Sequence, residues 1–199
     1  MLKNALVLQK NRIELRQAKW VFFLFIASLG VFFLATLVSY CIIRVQAFQP
    51  VKRDYVELSL PASFWVSTAF LIVASVCLQR GVWLVHRQRI VEFRRWLLVA
   101  MVAASAFVIA QLFGMNHLLQ IHFTQLDGST KVYGLSCTLA FVHALHVIGG
   151  MIYLGYVLIQ AYRNRYDHER HWAVDNCAGY WHFLDVVWFA MLATFLITR

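Results

Sequence analysis

The sequence predicts an all-α integral membrane protein with five transmembrane helices, N-terminus cytoplasmic and C-terminus outside. Three observations carry this: a greasy composition, apolar residues gathered into long blocks, and a lopsided distribution of lysine and arginine. Of 199 residues, 61% are hydrophobic and 14% charged, whereas a soluble domain carries roughly 25% charged residues. A helix needs about 20 consecutive apolar residues to cross the hydrocarbon core. A backbone in lipid is satisfied only inside a helix or a closed barrel, and barrel strands alternate polar with apolar residues, which these blocks do not.

Each span follows from an uncharged run. Trp20 to Ile43 runs 24 residues without a charge, too long for the apolar part of a cleaved leader, so it is read as a retained anchor. Ala62 to Gln79 extends past Arg80, whose side chain can reach the headgroups. Trp96 to Asn116 follows, then Val132 to Tyr162, interrupted only by two histidines, and finally Ala178 to Thr198. The expected organisation is a basic cytoplasmic segment at 1–19 and a membrane domain at 20–199, with spans near 20–43, 62–85, 96–119, 132–162 and 178–198. Both prolines, Pro50 and Pro61, fall between the first two spans.

The charge bias sets the orientation. With the N-terminus inside, 13 of the 18 Lys and Arg residues lie on the cytoplasmic side, five of them in the first 19 residues. Only Arg44, Lys52, Arg53, Lys131 and Arg199 lie outside, the asymmetry expected of a bacterial inner-membrane protein. Topology and attraction to anionic lipid account for the net charge of +9 without nucleic-acid binding. Trp20, Trp65, Trp83, Trp96, Trp172 and Trp181 fall near span ends, as an interfacial belt would, and Trp188 lies deeper. Cys41, Cys77, Cys137 and Cys177 have no metal-ligand spacing; Cys41 and Cys137 share the outer side, which leaves a disulfide open, but small apolar residues in helices is the plainer reading.

Ionisable residues at membrane depth are costly and mark function or a specific helix contact. In "FVHALHVIGG", His143 and His146 share one face, and Gly150 and Tyr153 join it. On and just before the fifth span, which contains "YWHFLDVVW", Asp175, Trp181, His182, Asp185 and Trp188 occupy one arc of about 140°, expected to face protein, with Phe183, Val186, Val187 and Ala190 on the other, expected to face lipid. Three chemistries suit such residues: metal or haem ligation, a proton relay, and hydrogen bonds between helices. Ligation fits poorly, because His146 lies about 20 Å from the outer end of its span and His182 about 6 Å from the inner end of its own. No nucleophile elbow, phosphate loop or dinucleotide fingerprint is present.

At these motifs the chain resembles a known family. "YWHFLDVVWF" is similar to the "YWHFVDVVW" signature of subunit III of haem-copper terminal oxidases, and "HALHVIGG" to that family's "HGLHVIGG". The first two spans and the segment "RNRYDHERHWAVD" resemble the same family in its short five-helix form, lacking two N-terminal helices. The resemblance implies an accessory subunit with no redox centre or bound metal and no catalysis of its own. It packs on subunit I beside subunit II, which hold haem and copper, and it holds phospholipid and sustains proton uptake. It also implies a conserved polar set at His143, His146, Asp175, Tyr180, Trp181, His182, Asp185 and Trp188, with Asp175 replacing a family glutamate. The membrane glutamate common in the family's first span is Leu29 here, in "ASLGVFF". A nitric oxide reductase accessory subunit, or a stand-alone haem protein using these histidines, remains the alternative. The electron donor, cytochrome c or quinol, is left open.

Overall fold

A computed structural model describes the backbone of residues 2–47, 63–124, 130–163 and 172–197, and side chains at 17–43, 63–116, 119–120, 134–163 and 172–197. Pro50, Pro61 and residues 164–171 of the segment before the last helix lie outside those ranges, as does the side chain of Lys131. The described chain is helical throughout: α1 (Leu2–Ala47), α2 (Ser63–His86), α3 (Ile90–Thr124), α4 (Thr130–Tyr162) and α5 (Trp172–Ile197). All five contain stretches long and apolar enough to cross a membrane. None carries a proline, so nothing interrupts the ladders that satisfy the backbone in lipid.

Several helices run beyond the uncharged stretches. α1 begins at Leu2, so the basic N-terminal residues are helical. α3 begins at Ile90, six residues before Trp96, and α5 at Trp172, six before Ala178. The reason is electrostatic. Glu92 and Asp175 sit in the first turns of these two helices, where a carboxylate is favoured by the exposed N–H groups. A search for charge-free runs clips those turns away. Glu92 is further held by Arg89 at 2.7 Å.

The chain divides into two compact units, residues 1–35 and 36–199. The first is a single helix whose Trp20, Phe23, Val31 and Leu34 are exposed, with Trp20 packed edge-on to Phe23. Leu29 is half-buried. In the second unit α2 meets α3, α3 meets α4, α4 meets α5, and α5 returns to α2, closing a ring of four helices. Tyr40, from the last part of α1, packs its ring against Phe195.

The α2–α3 hairpin turns within three residues. Gln88 N–H donates to Val85 O and Arg89 N–H to Leu84 O, 3.1 and 3.0 Å long. This 5→2 and 6→1 pair closes the helix end and requires a left-handed residue, which glycine usually supplies. Here Gln88 takes it, at φ 60°. Between α3 and α4, the Arg94 guanidinium donates from Nε to Ala161 O in the last turn of α4, where carbonyls lack partners and a cation is favoured.

Trp20, Trp65, Trp83, Trp96 and Trp172 are exposed, but Trp181 is 1% exposed. The expectation that Trp181 belongs to an interfacial belt is therefore corrected. The extra turns of α5 place it nine residues inside the helix, against α4.

Candidate functional site

The α2–α5 side of the ring holds a chain of polar contacts whose placement follows from helix periodicity. On α2, Thr68, Ser75, Gln79 and His86 fall within about 40° of one azimuth, on the side facing α5. The helices run antiparallel, so each α2 residue meets an α5 residue earlier in the chain order as α2 advances. At the end of α2, His86 Nε2 lies 3.2 Å from Asp175 Oδ1. About two turns deeper, His182 lies 3.0 Å from Gln79 Oε1 through Nε2 and 2.9 Å from Ser75 Oγ through Nδ1. Asp185 Oδ2 approaches the same Nδ1 at 3.5 Å. Deeper again, the Trp188 indole N–H donates to Thr68 Oγ1 at 2.9 Å, and Thr68 donates to Phe64 O.

The position of His182 along its helix differs from the expectation. With α5 starting at Trp172, His182 is ten residues, or about 15 Å, from the start of its helix instead of about 6 Å. Ser75 and Asp185 sit close to the midpoints of α2 and α5. His182 bonds α2, and Asp185 lies close to it on the same helix; the α4 side of α5 is occupied by other residues.

That other side is aromatic and tight. His143, fully buried, stacks on Trp188 with ring centroids 5.4 Å apart and 26° between planes, while Phe107 meets both edge-on. Phe64 completes the cluster against Trp188, so side chains from all four helices of the ring meet at one indole. The Tyr180 hydroxyl donates to His146 O, 3.0 Å away, and the Tyr153 hydroxyl to Ala173 O. His146 Nδ1 lies 2.7 Å from Val142 O in its own helix. Gly150 explains how closely α4 and α5 approach. A Cβ there would lie 3.1 Å from the Tyr180 ring, 3.3 Å from Leu184 and 3.4 Å from Trp181, which only a glycine avoids.

Each singled-out residue therefore has a definite place. His143, Tyr180, Trp181 and Trp188 lie on the α4–α5 junction and Asp175, His182 and Asp185 on the α2–α5 seam, while the His146 ring bonds its own turn of α4. Val187, expected on the lipid-facing arc, is buried, because α5 has neighbours on two sides; Val186 beside it is exposed. The α2 residues Ser67, Thr68, Ser75, Gln79 and His86, and Gln111 of α3, which accepts from Ser67 at 3.2 Å, were missed by sequence reasoning. The recurrence of polar residues at i, i+7, i+11 and i+18 on α2 is the signal that finds Thr68, Ser75, Gln79 and His86; Ser67 and Gln111 fall outside it.

Among the described residues, no three His, Cys, Asp or Glu side chains converge on a possible metal site. The four cysteines are free, so the disulfide left open for Cys41 and Cys137 is not formed. The histidine nitrogens that have hydrogen-bond partners here are directed at Ser, Gln, Asp or backbone oxygens. Such an arrangement ties helices together.

No family model matches the chain. Individual proteins do. A probable cytochrome c oxidase subunit 3 from Nocardia farcinica is 29% identical over 176 residues, covering 88% of this chain and 85% of that protein. The cytochrome c oxidase subunit 3 of Corynebacterium diphtheriae is 32% identical over 145 residues, covering 72% and 68%. That of Synechocystis is 26% identical over 173 residues, covering 84% and 70%. With five helices that can span a membrane and similarity over most of both chains, this protein belongs to the cytochrome c oxidase subunit 3 family.

Proposed function

We propose that the chain is the accessory, non-redox third subunit of a proton-pumping haem-copper oxidase in a bacterial inner membrane. The N-terminus lies in the cytoplasm and the C-terminus outside, following the 13 to 5 division of Lys and Arg. The subunit packs on the large haem-bearing subunit, with the second subunit in the same complex, steadies it during oxygen reduction and supports proton uptake. Cytochrome c is the electron donor favoured by the relatives' names.

The observation that carries this reading is that polar residues of α2, α4 and α5 engage one another across helix contacts. Trp188 reaches Thr68, His182 reaches Ser75 and Gln79, and Tyr180 reaches the α4 backbone. A redox subunit would instead aim histidines at a common centre. Lipid holding is supported by an apolar hollow of about 90 Å³ between α3 and α4, bordered by Phe107, Leu112, Phe141 and Leu145. It is large enough for a few methylenes of one acyl chain.

An affinity pull-down of the tagged chain from mild-detergent membranes tests the proposal, with an optical spectrum and mass spectrometry on one eluate. A large oxidase subunit, copper and haem bands in the eluate are expected. A solitary chain carrying its own haem band, lost on His146→Ala, contradicts it.

A further inference from the structure

The α2–α3 hairpin, at the end of α2 that the charge bias assigns to the cytoplasm, carries arginines of two kinds. Arg89 is held by Glu92, and Arg94 caps the last turn of α4 and reaches over the Tyr162 ring. Arg80, Arg87 and Arg95 are exposed and have no carboxylate partner among the described residues. The described carboxylates are engaged elsewhere: Glu92 by Arg89 and Asp175 by His86, while Asp185 lies beside His182. Arg80 and Arg87 differ from Arg95 in their setting. Arg80 and Trp83 lie within about 60° of each other on the outward face of α2. Arg87, one residue past the helix end, lays its guanidinium on the Trp83 indole, 3.8 Å from the ring centre. That stacking uses the flat face of the guanidinium and leaves its edge N–H groups to donate. Deeper in the membrane the same face of α2 continues as Ala69, Val73 and Val76, all exposed and all short.

We infer that the outward face of α2 binds an anionic phospholipid of the cytoplasmic leaflet, its phosphate between Arg80 and Arg87 and an acyl chain along Val76, Val73 and Ala69. The site is separate from the apolar hollow bordered by α3 and α4, and it adds a headgroup preference that the hollow does not supply. Charge complementarity chooses the lipid. Guanidinium groups bind phosphate through paired N–H donors, and two of them with no acid on the same face favour a headgroup without a cation. A choline or ethanolamine headgroup would set an ammonium against them. Depth agrees with charge, because an indole settles at the boundary between headgroups and acyl chains and Trp83 stands between the two arginines. A carboxylate of another protein would also satisfy the arginines, but the apolar track below them fits an acyl chain.

The test uses the full chain, purified in mild detergent and stripped of lipid. It is titrated with dioleoylphosphatidylglycerol or dioleoylphosphatidylcholine, and adducts are counted by native mass spectrometry. Phosphatidylglycerol should bind more tightly than phosphatidylcholine. Arg80→Gln and Arg87→Gln should each lower its affinity about fivefold. Trp83→Leu should lower it about threefold with no change of charge, and Arg95→Gln should leave it unchanged. Equal affinity for the two lipids overturns the inference. So does a loss in Arg95→Gln as large as that in Arg80→Gln, which would reduce the attraction to net charge spread over the hairpin. Phosphatidylglycerol should also stay on the chain when oxidase subunits co-purify; its absence from the assembled complex would give the face to an acidic segment of a partner and overturn the inference. Lipid affinity is read on the chain itself, so the site fails independently of the proposed function, which falls if no oxidase subunit co-purifies.

Discussion

Helix α5 is held differently on its two sides. Toward α4 it presents Tyr180, Trp181, Leu184 and Trp188 to a surface opened by Gly150, and the contact is dry, aromatic and closely fitted. Toward α2 it presents Asp175 and His182 to Ser75, Gln79 and His86, and the contact is a series of hydrogen bonds, part of it open. In lipid the two devices have unequal strength. Interhelical hydrogen bonds contribute on average about 0.6 kcal/mol each, so the four links from α5 to α2, Trp188–Thr68 included, amount to about 2 kcal/mol. A buried aromatic loses several times more when truncated, since the packing contacts vanish outright. The α4 side therefore holds the helix, and the α2 side sets its rotation and depth.

That division can be broken at its strongest point first. Trp188→Ala removes the ring where α2, α3, α4 and α5 meet, and should cost about 3–5 kcal/mol, read as loss of stability in mixed-micelle unfolding. Next, Gly150→Leu forces a branched side chain into a gap where a single Cβ already meets Tyr180 at 3.1 Å. Overpacking of about 1–3 kcal/mol is expected, with α4–α5 cysteine cross-linking lost while α2–α3 cross-linking persists. Smaller still is His182→Leu, which deletes the bonds to Ser75 and Gln79 and should cost the isolated chain about 1 kcal/mol. A cost equal to that of Trp188→Ala would show that the seam, not the junction, holds α5. Last, Gln88→Gly relieves the left-handed backbone at φ 60° and should stabilise the hairpin by up to about 1 kcal/mol, raising the midpoint of thermal unfolding.

The two sides were also unequally legible. The α4–α5 junction could be anticipated, because His143, Gly150 and Tyr153 share a face on one helix and Trp181 and Trp188 share a face on the next. The seam was half hidden. Its α5 half shows as an aspartate and a histidine in an apolar run, which stand out. Its α2 half is made of Thr68, Ser75 and Gln79, common residues in membrane helices that reveal themselves only by their spacing. The start of α5 was misplaced for a different physical reason. Asp175 belongs to the first turn of α5 because a helix N-terminus favours a carboxylate, so a boundary drawn after the last charge began the helix six residues, about 9 Å, too late. Val187 shows the same limit on a simple two-sided picture: a helix with neighbours on two sides buries more than one arc.

The central claim is that these polar residues brace the subunit and take no part in electron transfer. The most direct test is a single-turnover oxygen reaction of the purified oxidase carrying Asp185→Leu, with retention of the third subunit followed across a detergent series. Haem oxidation should proceed at the wild-type rate, and the subunit should be released at lower detergent. A fully assembled complex whose haem oxidation slows tenfold or more would contradict the account.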